Sequence, residues 1–207
     1  MLNDFPTLNR TLLRFVLLAW LGVAAISLRA QEVEVSSVKF ANLRAPNGAS
    51  GNWFEADIAL EARPGAANLG RMVSRVRVTL TLGFELPAPA GGERRIEFYR
   101  SEAECVALEA GRANVRFYLA PELVKRDQLH GDPKYWGVEI AVGGRAVPAG
   151  RAAYATTLPG AEARKNFQAR AATASVANDG LLLPQYLSAF SNEYPRATPS
   201  FVRRDAR

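Results

Sequence analysis

The chain has 207 residues and carries 26 Lys and Arg against 20 Asp and Glu, for a net charge of +6, with one histidine and one cysteine. A single cysteine excludes an intrachain disulfide, and one histidine with one cysteine leaves no Cys/His set for a structural zinc site. The length suits one domain with a sizeable core plus an extension.

The first thirty residues stand apart. Arg10 and Arg14 precede a fourteen-residue apolar run, Phe15 to Leu28, and Leu28-Arg29-Ala30 offers a small residue at a cleavage position. This is the pattern of a secretory signal peptide over residues 1–30, with the mature chain starting at Gln31. The run falls short of the roughly 20 apolar residues of a membrane span, so an uncleaved anchor is the rival reading. An exported chain also makes nucleic acid a poor partner.

The next stretches alternate with period two. Val33 to Leu43 reads as a first strand and Arg44 to Asn52 as a loop, by its Pro, Asn and Gly content. Trp53 to Ala62 places Phe54, Ala56, Ile58 and Leu60 on one face. Past the Pro64 to Gly70 loop comes the stretch that organises the chain, Arg71 to Leu86. Val76, Val78, Leu80, Leu82 and Phe84 fall on one side of it, and Arg75, Arg77, Thr79, Thr81 and Gly83 on the other. Such alternation in a β-branched run marks a long strand with one face in a core.

After the Pro87 to Gly92 turn, Arg94 to Tyr99 reads as a fourth strand, with Ile96 and Phe98 inward, and Glu104 to Leu108 as a fifth. The Ser101-Glu102 junction suits a bulge or a change of sheet. Asn114 to Leu119 is a sixth strand, with Val115, Phe117 and Leu119 inward. Pro121 then opens a short helix whose early Glu122 and late Lys125 and Arg126 suit its two ends. Tyr135 to Val142 is a seventh strand, and Gly143-Gly144 turns it toward Arg145 to Val147.

Seven strands with regular turn signals predict a mainly β fold, an antiparallel sandwich over residues 31–150, with a closed barrel as the alternative. Residues 151–207 form a second part. Pro159 to Val176 is Ala-rich and suits a helix with Ala163, Phe167, Ala171 and Ala174 on one stripe. The segment from Leu181 on sets Leu182, Tyr186, Phe190, Tyr194 and Phe201 among Pro184, Pro195 and Pro199. Prolines keep it extended, and its apolar content predicts that it lies on the sandwich or on a partner.

Catalytic signals are sparse. His130 sits in a turn-like His-Gly-Asp-Pro stretch, no serine stands in a nucleophile elbow, and Cys105 lies in a strand, where a buried inert thiol is expected. Asp127 and Asp132 read as surface carboxylates, and no phosphate, dinucleotide or calcium motif occurs. No catalytic, cofactor or metal residue is assigned, although two carboxylates brought together by the fold would permit a glycosidase. Arg75, Arg77, Arg94, Arg95, Arg112 and Arg116 interleave with Glu93, Glu97, Glu102, Glu104 and Glu109. They read either as a salt-bridged sheet face or as a docking surface for an acidic partner.

Four stretches carry a resemblance: NWFEADIALEA, RVRVTLTLGFEL, VRFYLAPELVKRDQLHGDPKYWGVEIAVGG and NDGLLLPQYLSAFSNEYPRATPSFVRR. Together they resemble an exported immunoglobulin-like protein family of Verrucomicrobia associated with type IV pilus-like gene clusters. The resemblance implies an immunoglobulin-like sandwich, a periplasmic or envelope location, and an assembly, adhesion or accessory role beside a pilus-like or secretion system. The partner would be an envelope protein, with self-association as a second expectation. The alternative is a carbohydrate-binding module, with Trp53, Tyr99, Tyr118 or Tyr135 as a stacking platform.

Overall fold

A computed structural model describes residues 32–48, 51–65, 69–87, 95–193 and 197–203. The expected signal peptide, Glu93, Arg94, Tyr194 and most of the Pro87 to Gly92 turn lie outside them.

The described strands are β1 (Val33–Arg44), β2 (Asn52–Ala62), β3 (Met72–Leu86), β4 (Arg95–Glu109), β5 (Gly111–Leu119), β6 (Tyr135–Val142), β7 (Arg145–Val147) and β8 (Leu182–Pro184). Helix α1 spans Pro121–Arg126 and α2 spans Ala161–Ala174. The strands form two four-stranded antiparallel sheets, ordered β1-β2-β5-β8 and β4-β3-β6-β7. Strands one, two and five opposite three, four, six and seven is the division of an immunoglobulin-like sandwich whose fourth strand sits in the sheet of the third, sixth and seventh.

β3 is the centre of its sheet. It pairs with β4 from Met72 to Leu86 and with β6 from Val76 to Gly83. Val76, Val78, Leu80 and Leu82 are wholly buried, as the alternation requires. The sheets meet through aromatic rings: Phe54 lies edge-on to Phe84 at 5.3 Å, and Phe40 edge-on to Trp136 at 5.8 Å. Offset and edge contacts of this kind add to plain area burial. In β1 the register shifts between Val35 and Ser37. Ser36 donates its hydroxyl hydrogen to the carbonyl of Ala59 there, at 3.0 Å.

Two expectations are corrected. The fourth and fifth strands are one continuous β4, with Ser101 opposite Leu80 and Ala103 opposite Val78. Small residues suffice on that inner face because Leu80 and Val78 fill it. Ile96 and Phe98 do not point inward. They pair with Glu85 and Gly83, on the face opposite Leu82 and Phe84. Phe98 is nevertheless buried, because α2 lies over that face and sets Phe167 5.9 Å from it.

Gly83 and Gly137 make the floor for Phe167. A Cβ on either would come within 3.4 Å of its ring, and a Cβ on Gly137 would come within 2.8 Å of the ring of Tyr154. Of the expected helical stripe, Phe167 and Ala171 are buried, Ala163 packs against the core and Ala174 is exposed.

Val78→Asp places an unpaired carboxylate in the driest part of the core. It should cost about 3–5 kcal/mol, the range for an uncompensated buried charge. Thermal unfolding followed by circular dichroism checks this; a melting curve like the parent's would contradict the register.

Candidate functional site

Strand edges decide where this molecule can interact. β4 passes to β5 at Ala110, crossing from one sheet to the other; β4 ends its sheet, and β5 would end its own but for the three-residue β8. Gly111 has φ +108°, a backbone conformation open to glycine. Open edges present unpaired N–H and C=O groups. Here the segment after α2 covers them.

β8 pairs with the end of β5, Leu182 opposite Leu119 and Pro184 opposite Phe117. Further on, the Asn114 N–H donates to the carbonyl of Ala197 at 2.7 Å. On β4, the Val106 N–H donates to Ser200 at 2.9 Å and the Val202 N–H to Glu104 at 2.7 Å, with Cys105 bridged to Phe201 between them. The extended C-terminal segment thus runs as β8 and again at Phe201, with a 3-10 turn at Gln185–Leu187.

The same segment covers part of the outer face of β2 and β5. Phe190 stacks on Tyr118 at 4.3 Å with ring planes 8° apart, and lies edge-on to Trp53 at 5.7 Å. The Tyr118 hydroxyl donates to Glu55 at 2.7 Å. Burial and that carboxylate push the Tyr118 hydroxyl pKa up, and burial raises the Glu55 carboxyl as well. Beside them Arg116 reaches Asp57 at 3.3 Å and Thr198 at 3.0 Å, tying the arm to the sheet.

At one end of the sandwich, Tyr99 donates its hydroxyl hydrogen to Asp127, which also receives both arms of the Arg126 guanidinium at 2.9 and 2.7 Å. The Arg126 guanidinium, with help from the Tyr99 hydroxyl and against burial, holds the Asp127 carboxyl below its usual range. Asp127 is therefore buried and structural, where its sequence context suggests a surface carboxylate.

His130 and Asp132 are exposed, and line a cavity of about 520 Å³ with Phe84, Leu129 and the Lys134–Glu85 ion pair. Among the described residues no group of three or more His, Cys, Asp and Glu side chains is placed to hold a metal ion. Cys105 is buried, and desolvation, with Glu104 beside it, pushes its thiol up to about 12.

The expected stacking residues do not converge. Tyr99 points into the interior, Trp53 and Tyr118 lie on the outer face under Phe190, and Tyr135 lies on the other sheet beside Phe167. Some of the interleaved charges pair: Arg75 meets Glu104 at 2.7 Å, Arg95 meets Glu97 at 3.7 Å, and Arg77 lies 3.9 Å from Glu104. Sequence reasoning misses the slot for Phe190, since the two rings that form it come from separate stretches and Phe190 from a third; the alternation of Trp53 and Tyr118 onto the outer face was its one available signal.

Fold and site together define an immunoglobulin-like β-sandwich whose open side is covered by its own C-terminal arm. No family model matches the sequence, and no curated protein does. Among solved structures the chain is similar to a crystal structure of a protein from Akkermansia muciniphila, with a TM-score of 0.67 at 16% identity, covering 84% of this chain and 94% of that one. At that identity the likeness is one of fold.

Phe190→Ala should empty the slot between Trp53 and Tyr118, costing about 3 kcal/mol and shifting tryptophan fluorescence to longer wavelength. Asp127→Asn should lower stability by about 1–3 kcal/mol at pH 7, because it weakens the partner of a buried hydroxyl. A depressed folded pKa means that the unfolded chain binds more protons. The stabilisation is complete above the ordinary carboxylate value of 3.8 and lost as pH falls through the lower folded one. The difference between Asn variant and parent in urea unfolding should therefore narrow in acid.

Proposed function

We propose that this chain is an exported, non-catalytic envelope protein that serves as an assembly, adhesion or accessory component of a pilus-like or secretion system. The observation that carries the reading is the covered side of the sandwich, where the chain's own C-terminal arm occupies strand edges and an aromatic slot. A fold that invests a long segment in controlling its edges is suited to regulated protein–protein contact. The fold likeness to an Akkermansia muciniphila protein supports the same reading, as does the resemblance in sequence. Export rests on the pattern of residues 1–30. Among the described residues no helix is long and apolar enough to cross a membrane.

The dispersal of titratable groups supports a non-catalytic role. His130, Cys105 and the Tyr99–Asp127 pair stand in three separate settings: an exposed loop, a buried strand and a sandwich end. Covalent catalysis needs a base beside its nucleophile. The carbohydrate-binding alternative draws no support from Trp53, Tyr99, Tyr118 and Tyr135, which share no open groove.

Crosslinking and affinity pull-down from envelope fractions test the proposal. Pilus-like or secretion components should be recovered with the full chain. Recovery of glycan instead, or of no envelope protein, would refute it.

A further inference from the structure

We propose that the C-terminal arm is exchangeable between copies of this chain. Phe190 of one copy enters the Trp53–Tyr118 slot of a second, and Ser200 to Val202 pair with the second copy's β4. The inference deepens the assembly reading and rests on it for the choice of a second copy as partner.

The arm's contacts do not depend on which chain supplies it. They include backbone hydrogen bonds at Asn114, Val106 and Glu104, Phe190 stacked on Tyr118 and edge-on to Trp53, Phe201 against Tyr186, and one bond from Arg116 to Thr198. An identical arm from a neighbour satisfies all of them. The choice between own and neighbouring arm then falls to the turn that joins β8 to Phe190, and that turn encloses an unsatisfied polar atom.

Gln185 opens the turn at 2% exposure. Its Nε2 donates to the carbonyls of Phe190 and Glu193, while its Oε1 is buried with no hydrogen-bond partner among the described residues. A buried acceptor left unsatisfied opposes the closed turn. Two residues on, Leu187 leaves its large apolar side chain 46% exposed. It lines a groove of about 650 Å³ with Val176, itself 69% exposed. Opening the turn gives up the two Nε2 bonds but hands the whole Gln185 amide, Oε1 included, to water and carries the arm outward, and short hinges under such a burden favour exchange. Mutual exchange closes a dimer; head-to-tail exchange propagates a chain of copies.

Cys105 supplies the test. It stands opposite Phe201, flanked by the bonds Val106 to Ser200 and Val202 to Glu104. That pattern marks a non-hydrogen-bonded antiparallel pair, with Cα atoms about 4.5 Å apart, within disulfide reach. In Phe201→Cys, oxidation by diamide takes two electrons and two protons from the two thiols and joins them. Non-reducing electrophoresis then shows which chain's arm lies on β4.

Covalent dimers or a ladder are expected, decreasing when three flexible residues are inserted after Ala189 to relax the turn. A product that stays intrachain, or an interchain product indifferent to the insertion, overturns the proposal. Should the variant fail to fold, sedimentation of the unaltered protein decides. Association that weakens with the relaxed turn supports exchange, and a monomer at every concentration refutes it. Intrachain closure beside a successful pull-down of envelope components would sink exchange and leave the assembly reading standing.

Discussion

Everything in this sandwich is arranged around the burial of β3 on both faces. Its inner row, Val76, Val78, Leu80 and Leu82, meets the opposite sheet. On its outer row Thr79 and Thr81 are also buried, and Gly83 lies beneath Phe167. A strand dry on both sides needs a layer above it as well as below. The chain supplies that layer with α2. The two glycines, Gly83 and Gly137, let the helix approach without displacing the rings that seat it. The third layer in turn commits the residues after α2 to the side of the molecule where β4 and β5 end their sheets.

The legible part of the fold was the part written in local periodicity. Val76 to Phe84 and Phe54 to Leu60 alternate strictly, and their faces follow from the spacing alone. Pro121 and Glu122 mark the start of α1 for equally local reasons. β4 was harder because its inner face through Ser101 and Ala103 is made of small residues, which carry little hydrophobic signal even where they are in the core. The inward assignment of Phe98 failed for a different cause. Two-faced burial hides the usual difference between inside and outside, and the helix that buries Phe98 lies far along the chain.

The side covered by the C-terminal arm was less legible still. Trp53, Tyr118 and Phe190 can be recognised as large rings that need burial, but nothing in their separate contexts joins them. Asp127 shows the converse. It reads as a loop carboxylate beside Arg126, yet the fold draws Tyr99 onto it and makes it an anchor for the end of the sandwich.

The position of the covering segment in the chain has a kinetic consequence. β4 and β5 are complete long before Leu182 or Phe201 has been made. During that interval their edges stand open to any other strand. Pairings distant in sequence form slowly, and open edges in the meantime are where nascent β proteins go astray. The chain is thus exposed to misassembly for as long as its arm is missing. Its yield in the cell will depend on how quickly the arm arrives, or on a holding factor that shields those edges until it does.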